Sequence, residues 1–304
     1  MNKNIKLAVS FFLLFIFIYF FIDYVIENIE IITTFKNINF GMIVIFVLIN
    51  LAAYINRTFI NIYLFRCMNI NLPFNEAFNL VYLNTLGNLL GPLKAGSGYK
   101  LVYLNKYYKL KIADYISLNT SYAIITLILN LILVVALLPF NEEGLSIDFN
   151  LSGFLIFVII LSLILLFRIT NFFGNTEKIQ IIKNFVEGFN SLIKNKKNLV
   201  YILIVSTIQI IFSITTIYLC FLLFNFQVTL LSCIIYIGVA AFTSVIKITP
   251  GNIGFYEIIM IFTSGLHGVD TFYIITTSVF LRLISYATLG VLGVKKLLSK
   301  SKNT

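Results

Sequence analysis

Lys247-Ile248-Thr249-Pro250-Gly251-Asn252-Ile253-Gly254-Phe255-Tyr256-Glu257, and before it Leu90-Gly91-Pro92-Leu93-Lys94-Ala95-Gly96-Ser97-Gly98-Tyr99-Lys100, each interrupt a long apolar run and carry a lysine into it. Proline removes a backbone donor and glycine loosens the chain, so a helix entering either stretch is broken there. Broken backbone at membrane depth is tolerated only where it is buried in protein or lines a cavity. The two breaks are therefore the first places to look for a bound substrate, and they point to transport.

The apolar runs around the breaks belong to a membrane chain. Hydrophobic residues make up 60% of the sequence and charged residues 11%, which no soluble domain of ordinary size matches. The net charge of +10 would suggest nucleic acid in a soluble protein, but here the lysines collect between apolar runs, as expected of loops facing the cytoplasm. Cys67, Cys220 and Cys233 stand singly in apolar surroundings and are read as packing residues. One histidine, His267, and no clustered carboxylates leave a hydrolase or metalloenzyme without its usual parts. No metal and no cofactor are expected.

Runs long enough to cross a bilayer lie at Leu7 to Ile22 and near 41 to 64, 113 to 138, 151 to 170, 198 to 223 and 271 to 294. The first follows Lys3 and Lys6 but lacks a small-residue cleavage site, so it reads as a retained anchor. Segments 78 to 104 and 228 to 266 each accommodate two half-length helices around a break and are assigned as re-entrant hairpins. The expected fold is an all-α polytopic membrane protein of six full crossings and two hairpins, one integral domain over 1–304. Between 171 and 197, Ile182, Phe185, Val186, Phe189 and Ile193 recur at helical spacing, so this segment either lies on the inner leaflet or docks as an elbow.

Lysine and arginine in short loops set orientation. Lys3 and Lys6, then Lys100, Lys106, Lys109 and Lys111, then the cluster from Lys178 to Lys197, then Lys295 to Lys302 all belong inside, whereas 139 to 150 has no basic residue. Both termini then face the cytoplasm. The order helix, helix, hairpin, helix occurs twice with opposite polarity, in repeats of about 1–138 and 151–298. Pro92 to Gly96 and Pro250 to Gly254 share the spacing Pro-x-x-x-Gly. This is an inverted-repeat plan.

A half-helix starting inside the membrane presents free amides and the positive end of its dipole, which suits phosphate. Gly91, Gly96 and Gly98 at the first break, and Gly251 and Gly254 at the second, allow close approach, while Lys94 and Lys247 add cations beside Pro92 and Pro250. Glu257 begins the second half-helix and Arg282 lies near the middle of the last crossing. A lone charge there is expensive, so the two are expected to pair. Arg57 and Arg168 stand near the inner ends of crossings and are read as snorkelling to headgroups.

Arg57, Asn84 through Pro92, Gly98 to Lys100, Thr249 through Glu257, and Arg282 to Tyr286 together resemble the lysylphosphatidylglycerol synthase transmembrane family over roughly 40 to 295. Pro-Gly-x-x-Gly-x-x-Glu with a downstream arginine is the most specific part of the likeness. The family commonly has Gly-Glu after the first break where this chain has Gly98-Tyr99, and a Glu-Arg pair in the next helix that is absent around Asn119 to Tyr122. The resemblance implies a stand-alone flippase-like member without an aminoacyl-transferase domain, moving a membrane lipid with an anionic, phosphate-bearing headgroup. No nucleotide-binding loop is found, so ATP drive within this chain is not expected. Two alternatives share the composition: a scaffold partnering a lipid-modifying synthase or glycosyltransferase, and an intramembrane lipid-phosphate enzyme using Ser97, Tyr99, Tyr256 or Glu257. An oligomeric state is not legible in the sequence.

Overall fold

A computed structural model describes residues 35, 38–90, 95–137, 190, 192, 194–245, 255–265 and 269–301. Among these residues the fold is entirely helical: α1 (Phe40–Arg66), α2 (Phe74–Leu90), α3 (Ala95–Tyr108), α4 (Ile112–Leu137), α5 (Lys196–Leu223), α6 (Leu230–Val245), α7 (Phe255–Gly265) and α8 (Thr271–Ser301). Four helices contain stretches long and apolar enough to cross a membrane: Phe40–Arg66, Ile112–Asn130, Lys196–Leu223 and Thr271–Gly293. These match four of the six predicted crossings. The other two, Leu7 to Ile22 and 151 to 170, lie outside the described residues, as does most of the amphipathic segment. Exposed Leu48, Ile55, Ile128, Ile204, Ile211 and Leu283 give the crossings an outward apolar face suited to lipid.

The helices are begun and ended by local chemistry. Asn39 caps α1 by accepting from the Gly41 amide at 2.8 Å, and Asn195 caps α5 by accepting from Asn198 at 3.1 Å. Both helices stop on an asparagine in the left-handed region, Asn69 at φ 58° and Asn225 at φ 57°. Closure is the same at each: Ile70 N–H donates to Phe65 O at 3.1 Å and Phe226 N–H to Phe221 O at 2.9 Å. The next bond inward runs from Asn69 to Arg66 O and from Asn225 to Leu222 O, completing a Schellman turn. Phe65-x-x-x-Asn69 and Phe221-x-x-x-Asn225 are thus equivalent stop signals in the two halves of the chain.

Side-chain contacts give the helix directions. Phe65 stacks on Tyr115 at 6.2 Å and Tyr63 on Tyr201 at 4.8 Å, so the C-terminal end of α1 meets the beginnings of α4 and α5. Phe46 meets Phe280 at 4.9 Å, while Tyr54 packs in one cluster with Leu289 and Leu292. Helices α1 and α8 therefore run one way, α4 and α5 the other. The pair α2–α3 leaves and returns at one end of the bundle, where Tyr108 donates to Glu76 at 2.7 Å. The pair α6–α7 leaves and returns at the other, where Phe226 lies 4.5 Å from Tyr273.

Packing partnerships match between the halves. Contacts of α1 with α2, α2 with α3 and α3 with α4 correspond to those of α5 with α6, α6 with α7 and α7 with α8. Across the halves, α6 packs on α4 as α2 packs on α8, and α1 lies against α5 at the centre. The α2–α3 pair is held by close backbone approach: a Cβ on Gly87 would stand 2.6 Å from Gly96 Cα, and one on Gly96 only 1.9 Å from Asn84 O. Asn88 closes the same contact, accepting from the Ser97 amide at 3.1 Å and donating to Ser97 Oγ at 3.2 Å. All three cysteines are free, Cys220 and Cys233 in the packed interior.

Candidate functional site: a polar cavity between the two halves

A cavity of about 480 Å³ lies where α1, α4, α5, α6, α7 and α8 converge. Its volume is within the range of small-ligand sites. Its walls come from polar stripes on apolar helices. Asn50 and Arg57 stand seven residues apart on α1, two turns along one face. Tyr122, Thr126 and Asn130 follow at every fourth position of α4, and Ser206, Gln209, Ser213 and Thr216 at helical spacing on α5. Ala240 and Ala241 of α6 and Tyr256 of α7 flank the second break and line the same space, as do Leu281 and Ser285 of α8.

Many of these groups are quiet toward their own helices. Thr126, Ser213, Thr216 and Ser285 each donate to the carbonyl four residues back, at 2.7 to 3.0 Å, which makes a hydroxyl tolerable in an apolar helix. Arg57 differs. It is exposed, its guanidinium lies 5.5 Å from the Tyr54 ring, and no carboxylate among the described residues pairs with it. Among the described lining residues Arg57 is the charged one, and none is acidic.

Behind the wall, Glu257 and Arg282 form a buried ion pair. Arg282 donates to Glu257 Oε1 through Nη2 at 2.5 Å and Nε at 2.9 Å, and Ser278 Oγ donates to the same oxygen at 2.6 Å. Their side chains are 20% and 5% exposed. The pair holds the first turn of α7 against the middle of α8, and Glu257 also sits at the favourable end of the α7 dipole.

The family described as Lysylphosphatidylglycerol synthase TM region matches residues 5–293. The chain belongs to this family. No curated protein and no solved structure matches it significantly.

In this member of the family, the sequence-predicted site residues are distributed unevenly. Glu257 and Arg282 come together, one residue from the cavity-lining Tyr256 and Leu281. Gly96 lies in the α2–α3 contact, where the room left by its missing side chain is filled by α2 backbone. Gly98 faces open space. Gly91, Pro92 and Lys94, and Lys247, Pro250, Gly251 and Gly254, fall in 91–94 and 246–254, outside the described residues. None of the described residues of α2 and α3 lines the cavity.

Two residues behave differently from their sequence reading. Arg57, read as a snorkelling interfacial cation, lines the cavity, because it shares a helical face with Asn50 rather than pointing to lipid. Lys100, grouped with the surface lysines, is 5% exposed. Its ammonium donates to Asn61 Oδ1 and lies 4.7 Å from the Phe65 ring and 5.9 Å from Tyr115. Helix α3 passes beside the end of α1, and the two rings cover the lysine stem. Lys106, Lys109 and Lys111 remain exposed. Asn50, Asn130 and Gln209 belong to no motif, although the polar stripes they are part of have a period that an apolar helix makes visible.

Proposed function

We propose that the protein is a flippase of the cytoplasmic membrane that carries a phosphate-bearing lipid headgroup through the interior of the bundle while the tails stay in the bilayer. One observation carries the reading: Arg57, which no carboxylate among the described residues pairs with, faces a cavity lined by polar side chains of crossings from both halves of the chain. A cation at membrane depth without a partner is expensive and calls for an anion. Family membership supports a lipid as its source.

The finer architecture proposed is six crossings with two re-entrant hairpins in an inverted repeat, both termini in the cytoplasm. Its support is that α2–α3 and α6–α7 each return to the end they left, at opposite ends of the bundle. The matched packing of the two halves supports it as well, since two equivalent units can rock against each other about a central site. Alternation of access would then expose the cavity to each leaflet in turn. Ser97 is engaged by Asn88 and Glu257 by Arg282, so we assign no catalytic step to either.

The test is reconstitution of the full chain into vesicles containing a fluorescent phosphatidylglycerol, followed by reduction of the fluorophore from outside. Flipping exposes the inner-leaflet pool, so the protected fraction falls well below that of empty vesicles. An unchanged fraction would reject transport in favour of a scaffold role. Arg57→Gln should slow the exchange about ten- to a hundredfold, the weight of a hydrogen bond to a charged group. A cysteine placed at Ser301 should react with a membrane-impermeant thiol reagent only in opened cells; reaction in intact cells would refute the orientation.

A further inference from the structure

Lys100 brings a charge into a thinly held seam of the bundle. Helix α3 packs chiefly on α2, where Gly96 and the Asn88–Ser97 hydrogen bonds fix it, and only lightly on α1 and α4. The lighter hold runs through Leu101 and Leu104, which join the apolar cluster around Phe65, through the Tyr115 hydroxyl donating to Ser97 O at 3.3 Å, and through Lys100.

The surroundings of this ammonium are neutral. From α1 it meets Asn61 Oδ1, which accepts from it, and the Phe65 ring; from α4 it meets the Tyr115 ring, the one titratable group that faces it. Asn61 Nδ2 is bound to Arg57 O at 2.8 Å, which fixes the amide with its oxygen toward Lys100. No carboxylate among the described residues pairs with Lys100, and no charged group of α1, α2, α3 or α4 bears on its proton. Two ring faces and one neutral acceptor return less than the water the ammonium gave up. Burial therefore pushes Lys100 down to about 7, from about 10.4 for a lysine in water. The second half of the chain differs: there α7 is joined to α8 by Glu257 and Arg282, whose charges compensate each other.

We propose that Lys100 is a proton-operated latch: uncharged, it keeps α3 closed against the ends of α1 and α4, and protonated, it loosens α3 at that seam so that the ammonium reaches water. The device rests on these contacts and not on transport. In the orientation proposed above it reads the pH of the cytoplasm. Its sign follows from proton uptake, because an open α3 holds Lys100 as an exposed lysine that binds its proton more tightly than the closed form does. Opening becomes easier as pH falls from about 10 toward 7, by up to about tenfold per unit, and levels off below, where both forms are protonated.

The experiment is hydrogen–deuterium exchange of the purified full chain in detergent, read by mass spectrometry from about pH 9 to about pH 6. The rate over 95–108 is divided by that over 255–265 in the same molecule, which cancels the chemical pH dependence of exchange. In the parent the ratio should rise about tenfold or more between about pH 9 and 7 and then level. Lys100→Met keeps the stem and takes no proton, so its ratio should be the same at every pH. Asn61→Leu removes the acceptor that favours the ammonium, so the levelling point should move to lower pH. A constant ratio in the parent, a rise in Lys100→Met equal to the parent's, or an unmoved levelling point in Asn61→Leu overturns the latch.

Discussion

Placing a methyl group on Gly96 sets it against backbone that cannot turn aside. The added Cβ would lie 1.9 Å from Asn84 O, 2.7 Å from Asn84 C and 2.8 Å from Asn88 N, all atoms of α2. Ordinary contact begins at 3.4 Å, so α3 must recede from α2 by about 1.5 Å. Overpacking of this kind costs about 1–3 kcal/mol. The displacement also breaks the Asn88–Ser97 hydrogen bonds, each contributing about 1 kcal/mol net, for a total loss of about 3–5 kcal/mol. Gly98→Ala is the internal control. Nothing lies within 4 Å of its Cβ, and alanine is favoured over glycine in a helix by up to about 1 kcal/mol. The chain has no tryptophan, but Cys220 and Cys233 are buried, so a fluorogenic thiol reagent reports unfolding in detergent. Gly96→Ala should melt at a clearly lower temperature than the parent and Gly98→Ala at the same or a higher one. Equal melting of Gly96→Ala and the parent, or a matching loss in Gly98→Ala, would refute the close approach of α2 and α3.

Glu257→Gln leaves the Arg282 cation without its buried counter-charge and should destabilise by about 3–5 kcal/mol, whereas Glu257→Gln combined with Arg282→Met should recover much of that; the thiol assay decides, and additive losses would reject the pair. Asn69→Val and Asn225→Val place a β-branched residue in the left-handed region and should each lower stability by about 1–2 kcal/mol, while Asn→Gly at either position should be nearly neutral by the same measurement. Lys100→Met keeps the stem against Phe65 and Tyr115 and removes a buried charge, so its melting temperature should equal or exceed the parent's; Lys100→Ala, which opens a void, should lower it.

Proximity on the page and proximity in the fold diverge most at the glycines. Both Gly96 and Gly98 read in the sequence as places where a ligand could approach, since glycine permits approach by anything. The fold assigns the approach at Gly96 to α2 and leaves Gly98 open. Lys100 shows the same limit: a lysine near a basic loop is counted by position, but its burial depends on α3 crossing the end of α1.

What the sequence determined by itself was the solvent, the helices and one ion pair. Hydrophobic runs of bilayer length set the crossings at α1, α4, α5 and α8 because every backbone group must be satisfied within its own segment. Glu257 and Arg282 could be matched because two opposite charges at membrane depth have few other partners. The cavity was decided by tertiary structure alone. A polar stripe states which face of a helix avoids lipid but not which other stripes it meets, and Arg57, Asn130 and Gln209 come from three helices up to 152 positions apart in the chain. Only the antiparallel packing of α1 against α4 and α5 turns them to one space.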